Sequence, residues 1–113
     1  MSIHLLKSTN SKEASEYLKE KNPYYRDWEV ITLFYSALHL VERYCEVHSI
    51  PIPKNHKSRE DVVVGWLKDI SVDYLNLYQL SKNARYESLI KNDQLLDAQA
   101  YYSTIEFFIK KQS

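Results

Sequence analysis

His39 and Glu42 stand three residues apart inside the apolar segment FYSALHLVE, Phe34 to Glu42. On a helix that spacing puts them on neighbouring turns of one side. A carboxylate at the edge of an apolar stripe is costly unless a cation or several donors meet it. Two later segments supply cations: NHKSRE, Asn55 to Glu60, with His56 and Arg59, and NARYES, Asn83 to Ser88, with Arg85. Arg85, Arg59 and His39 are the candidate partners of Glu42. These residues read either as a buried polar network that fixes helix register or as the wall of a ligand or RNA site. A metal site is a third reading, because His and a carboxylate at i, i+3 are how bundles present metal ligands; His56 adds another donor. The chain has no second His-x-x-Glu or Glu-x-x-His pair, so no metal or other cofactor is expected.

His56, Lys57 and Arg59, with Lys54 just before them, form the most basic short stretch of the chain. They crowd the expected start of a helix, where free backbone N–H groups favour anions. A phosphate or nucleotide site and a solvated loop with His56 packed locally are the two readings of this stretch. No nucleophile is set up elsewhere. The single cysteine, Cys45, lies on an apolar face, and there is no Gly-x-Ser-x-Gly turn.

Helical periodicity runs through the chain. A first helix is expected from about Ser11 to Lys21, with Asn10 as N-cap and Pro23 ending it. A second runs from about Trp28 to His48, with Asp27 as N-cap. Its apolar residues form two stripes: Trp28, Ile31, Phe34, Tyr35, Leu38, Val41 and Cys45, and Val30, Leu33, Ala37, Leu40, Tyr44 and Val47. Only a narrow strip of Glu29, Thr32, Ser36, His39, Arg43 and Glu46 is left polar, so this helix should be central and touch at least two others. The two prolines of SIPIPKNHK make a loop. Ser58 then caps a third helix whose stripe of Val63, Trp66, Ile70, Tyr74, Leu77 and Ala84 holds to about Tyr86. It is either one helix or two pieces broken near Ser71. Asn92 and Asp93 open the last helix, with Leu95, Ala98, Tyr102, Ile105 and Ile109 on its inner face.

At 113 residues the chain is expected to be a single domain, 1–113: an all-α, up-and-down bundle of four to five helices. A formal net charge of zero argues against nucleic-acid binding by bulk charge and leaves room for a local basic patch. The lone cysteine cannot make an internal disulfide. With no secretory signal and no apolar run of membrane-spanning length, the chain reads as cytoplasmic and not membrane-bound. One glycine excludes Gly-rich phosphate loops, and ten tyrosines suit bundle edges, dimer faces or base stacking.

The ordered combination of FYSALHLVE, NHKSRE and SKNARYES, over about Asp27 to Ser88, resembles small prokaryotic proteins of the HEPN superfamily. The resemblance implies a compact helical bundle, frequent homodimerisation, and roles in RNA or nucleotide transactions. Some members are toxins paired with a nucleotidyltransferase antitoxin. Many are metal-independent ribonucleases with an Arg followed four to six residues later by His. Arg43 and His48 have that spacing, which implies His48 as acid–base group and Arg43 as stabiliser of phosphate charge. The motif is degenerate, since Tyr44 stands where the family has a polar residue. Five positions also turn the pair about 140° apart on a helix, so they would meet only across a second subunit. The leading expectation is a non-catalytic HEPN-like module, working as a homodimer, that binds RNA, a nucleotide or a partner protein. The alternatives are a ribonuclease toxin and a purely structural or dimerisation domain.

Overall fold

Apolar residues occupy most of the circumference of the segment after Tyr25, and burying them takes more than one neighbour. The computed structural model, described over residues 25–86 and 90–112, does this with an all-α helical bundle. Its elements are α1 (Tyr25–Val47), α2 (His56–Trp66), a 3-10 turn (Lys68–Ile70), α3 (Ser71–Tyr86) and α4 (Asn92–Gln112). The expected helix at Ser11 to Lys21 and the last two residues of NARYES lie outside the described residues. α1 packs on both α3 and α4, and those two pack on each other. Val30, Phe34, Ala37, Leu40 and Val41 of α1 are fully buried, and Leu95, Ala98, Tyr102, Ile105 and Ile109 of α4 face them as expected.

α1 ends on a left-handed residue. Ser49 has φ 57°, and the Ile50 N–H reaches back to the Cys45 carbonyl at 2.8 Å, closing the last turn in the manner of a Schellman cap. α2 starts earlier than expected. The cap is Asn55, not Ser58: the Asn55 side chain accepts from the Ser58 N–H at 2.8 Å, which makes His56 the first helical residue. The third helical stretch is two pieces. Leu67, at φ −118° and ψ 44°, leaves the helix, the 3-10 turn follows, and Ser71 restarts it with its hydroxyl on the Lys68 carbonyl at 2.9 Å. The break changes the register. Leu67 takes the inward position, 1% exposed, and Trp66, expected in the core, is 63% exposed.

Two further expectations are corrected on α1. Asp27 lies in the first turn instead of capping it. Its carboxylate accepts the Ile90 N–H at 2.6 Å while the Arg26 guanidinium donates to the Ile90 carbonyl at 3.5 Å, so the pair grips the peptide that leads into α4. The polar strip is also displaced. Glu29 and Ser36 are buried, and Glu29 accepts from the Gln99 amide of α4 at 3.0 Å, whereas Trp28 and Tyr35 of the expected apolar stripe are 47% and 38% exposed. No helix among the described residues is long and apolar enough to cross a membrane.

Replacing Asn55 with Ala should lower the unfolding free energy by about 1 kcal/mol in urea denaturation, the usual worth of an N-cap side chain. Ser58→Ala should leave it nearly unchanged, because Ser58 contributes only its backbone N–H.

Candidate functional site

α1 supplies Phe34 and Tyr35, the capped start of α2 supplies His56 and Arg59, and α3 supplies Tyr74, Tyr78, Lys82 and Arg85. The α3 residues recur every three or four positions, so one helix face carries them all towards α1. Fully buried Phe34 is the hub. Its ring stacks on Tyr78 at 4.9 Å and lies 5.6 Å from Tyr74, 5.9 Å from His56 and 6.2 Å from Tyr35. The His56 ring in turn stacks on Tyr78 at 4.9 Å.

Cations ring this cluster. The Lys82 ammonium lies 4.6 Å from the Tyr78 ring centre, and the Arg85 guanidinium lies 4.9 Å from that of Tyr35. Both are cation–π distances. Arg59 is 7% exposed, and its Nη1 donates to His56 Nδ1 at 3.1 Å. That bond makes Nδ1 the acceptor, so the assigned neutral ring carries its proton on Nε2. Burial first, then the Arg59 and Arg85 guanidiniums, hold the His56 imidazole below its ordinary value of 6.5, with Lys82 adding to them and Glu60 opposing. Burial likewise pushes the Tyr74 hydroxyl above its ordinary value, against the pull of Arg59 beside it.

Two guanidinium nitrogens here are buried without a hydrogen-bond partner among the described residues, Arg59 Nε and Arg85 Nη2, while the Tyr74 hydroxyl lies against Arg59. Unmet buried donors are expensive, more so when charged. Lys82 and Arg85 are only partly buried, so their charges are open to an anion from solvent. The arrangement sets accessible cations against aromatic rings, a chemistry suited to a phosphate.

The structure brings together three of the residues singled out in the sequence, His56, Arg59 and Arg85. The other two form a separate pair on α1. His39 Nδ1 lies 3.3 Å from Glu42 Oε1. Neither Arg59 nor Arg85 forms an ion pair with Glu42 among the described residues, although Glu42 and Arg59 both act on the Cys45 thiol. Burial and Glu42 push that thiol up and Arg59 opposes them. A buried thiol raised in this way is a poor nucleophile. Arg43 and His48 stay apart within the chain. The His48 ring lies 4.2 Å from that of Tyr44 beyond the end of α1, and no hydrogen bond joins it to Arg43. No three His, Cys, Asp or Glu side chains converge as a metal set among the described residues. Tyr78 lines up with Arg85 and Tyr74 in the sequence, but Lys82 was not singled out. Its signal was present in the spacing, since Tyr78, Lys82 and Arg85 are one turn apart on a single helix.

The lowered His56 value sets the sign of a pH effect. The unfolded chain takes up a proton at this residue near 6.5, while the folded chain resists it, so the folded state loses stability as pH falls below 6.5. Urea midpoints measured from pH 7.5 down to 5 should show this fall, and His56→Gln should make it shallower.

No family model matches the chain, and no curated protein or solved structure matches it either.

Proposed function

We propose that this chain is a non-catalytic, HEPN-like helical module that binds RNA or a nucleotide through the face built by His56, Arg59, Lys82 and Arg85. The observation that carries this reading is the gathering of the Arg59, Lys82 and Arg85 cations around one aromatic cluster that includes the neutral His56 ring, with Glu60 the one carboxylate acting on His56 among the described residues. A charge-neutral chain is unsuited to long electrostatic tracking of nucleic acid. A compact patch of positive charge beside exposed rings suits a single nucleotide or a short unpaired stretch, whose phosphate meets the cations and whose base meets an aromatic face. The segments that carry the HEPN resemblance also meet at this point: FYSALHLVE through Phe34 and Tyr35, NHKSRE through His56 and Arg59, and NARYES through Arg85.

The reading is tested by titrating the intact chain into a fluorescently labelled, unstructured RNA oligonucleotide and following anisotropy. The double variant Lys82→Ala/Arg85→Ala should bind about tenfold or more weakly, as expected for lost charge-assisted contacts. Its affinity should also fall less steeply with salt. The RNA should leave the experiment at its original length. Cleavage that disappears in both Arg43→Ala and His48→Ala would instead establish the ribonuclease. Equal binding by wild type and double variant would remove this face from the account.

A further inference from the structure

A groove of about 600 Å³ opens beside the cation cluster, lined by Asp27, Trp28, Ile31, Tyr35, Ala84 and Arg85. Its volume falls in the roughly 300–1,000 Å³ range of small-molecule sites. Trp28, Ile31 and Tyr35 succeed one another on a single side of α1, and Ala84 and Arg85 form the opposite wall on α3. Trp28 and Tyr35, seven residues apart, are separated by about 10.5 Å along the helix at 1.5 Å per residue.

The groove has a chemical polarity. At the Tyr35 end stands Arg85, with a buried Nη2 that has no hydrogen-bond partner among the described residues. Lys82 and His56 lie beyond it, close enough for both Lys82 and Arg85 to act on the His56 ring. At the other end stands Asp27. Its Oδ1 accepts the Ile90 N–H at 2.6 Å, and Oδ2 takes no hydrogen bond among the described residues, so it is the acceptor offered to an amine. Between them are an exposed indole, an exposed phenol ring, and the apolar floor of Ile31 and Ala84. A ligand that fits this order is flat, carries an amine at one end and a phosphate at the other, and spans the two turns between Trp28 and Tyr35.

We infer that the groove holds the base of a purine nucleotide, stacked against Trp28 with its exocyclic amine towards Asp27 and its phosphate at Arg85. This rests on the proposed anion site and adds to it the identity of the ligand. The small side chain at position 84 is a requirement of the arrangement, since a larger one would fill the space the base occupies.

Calorimetric titrations of the intact chain with adenosine 5′-monophosphate, guanosine 5′-monophosphate, uridine 5′-monophosphate and ribose 5-phosphate test the inference. Both purine nucleotides should bind about tenfold or more tightly than ribose 5-phosphate, in line with the usual worth of stacking one base on an aromatic side chain. Uridine monophosphate should gain much less. Trp28→Ala, at a residue 47% exposed, should remove the purine advantage while leaving ribose 5-phosphate binding unchanged. Ala84→Leu should do the same by occlusion, and Trp66→Ala, outside the groove, should change nothing. If all four ligands bind equally, the base is not read and the inference fails while the anion site stands. If purine preference survives both Trp28→Ala and Ala84→Leu, the groove is not where the base lies. If no ligand binds at all, the anion site fails with it.

Discussion

The stacked contact between Phe34 and Tyr78, with His56 laid against both, is the interaction on which the rest of this structure depends. It joins α1, α2 and α3 at one point, and every cation of the candidate site is placed relative to it. Arg59 is positioned by its hydrogen bond to His56, Lys82 by the Tyr78 ring, and Arg85 by the Tyr35 ring beside Phe34. Positive charges gathered this closely repel one another, and Glu60 offsets part of that at His56. Aromatic faces, which attract cations through their quadrupoles, take over part of that role. The residual mismatch appears as buried nitrogen donors that find no acceptor within the described residues. Cations held this closely favour an incoming anion, because binding relieves their repulsion.

The bundle makes such a cluster possible by fixing α1 from two sides. With α3 and α4 both packed on it, α1 cannot rotate to bury Trp28 and Tyr35 without exposing Val30, Leu33 and Ala37. The Glu29–Gln99 hydrogen bond and the grip of Arg26 and Asp27 on Ile90 hold the same rotation from the polar side. The 3-10 turn does comparable work for α3. By interrupting the helix at Leu67 it lets α2 and α3 take separate directions, so that the start of α2 and the middle of α3 both reach the Phe34 ring.

Periodicity made the helices legible, and with them the inward face of α4 and the two-sided core of α1, while it left the break before Ser71 as one of two readings. Local spacing was enough because each depends on neighbours a few residues away. Whatever depended on distant partners was hidden. Glu29 reads as a solvent-facing residue until Gln99, seventy positions later, is seen to meet it. Trp28 and Tyr35 read as core because nothing in the sequence says which arc of a two-sided helix is left open. For the site, His56, Arg59 and Arg85 stood out as cations in apolar surroundings. Their expected partner, Glu42, is instead paired with His39, because the arginines are drawn to rings and to His56 rather than to the carboxylate. Lys82 escaped notice because a lysine beside a tyrosine on a helix is ordinary until a second ring and two more cations surround it.

The central claim is that the face around His56 is a receptor for phosphate, and the ring of His56 itself reports on it most directly. Its protonation can be followed by proton NMR across a pH titration of the intact chain, with and without inorganic phosphate. The account predicts a midpoint below 6.5 in the free protein, moved upward when phosphate is present, since a bound anion offsets the surrounding cations and favours the imidazolium. A midpoint that phosphate leaves in place would contradict it.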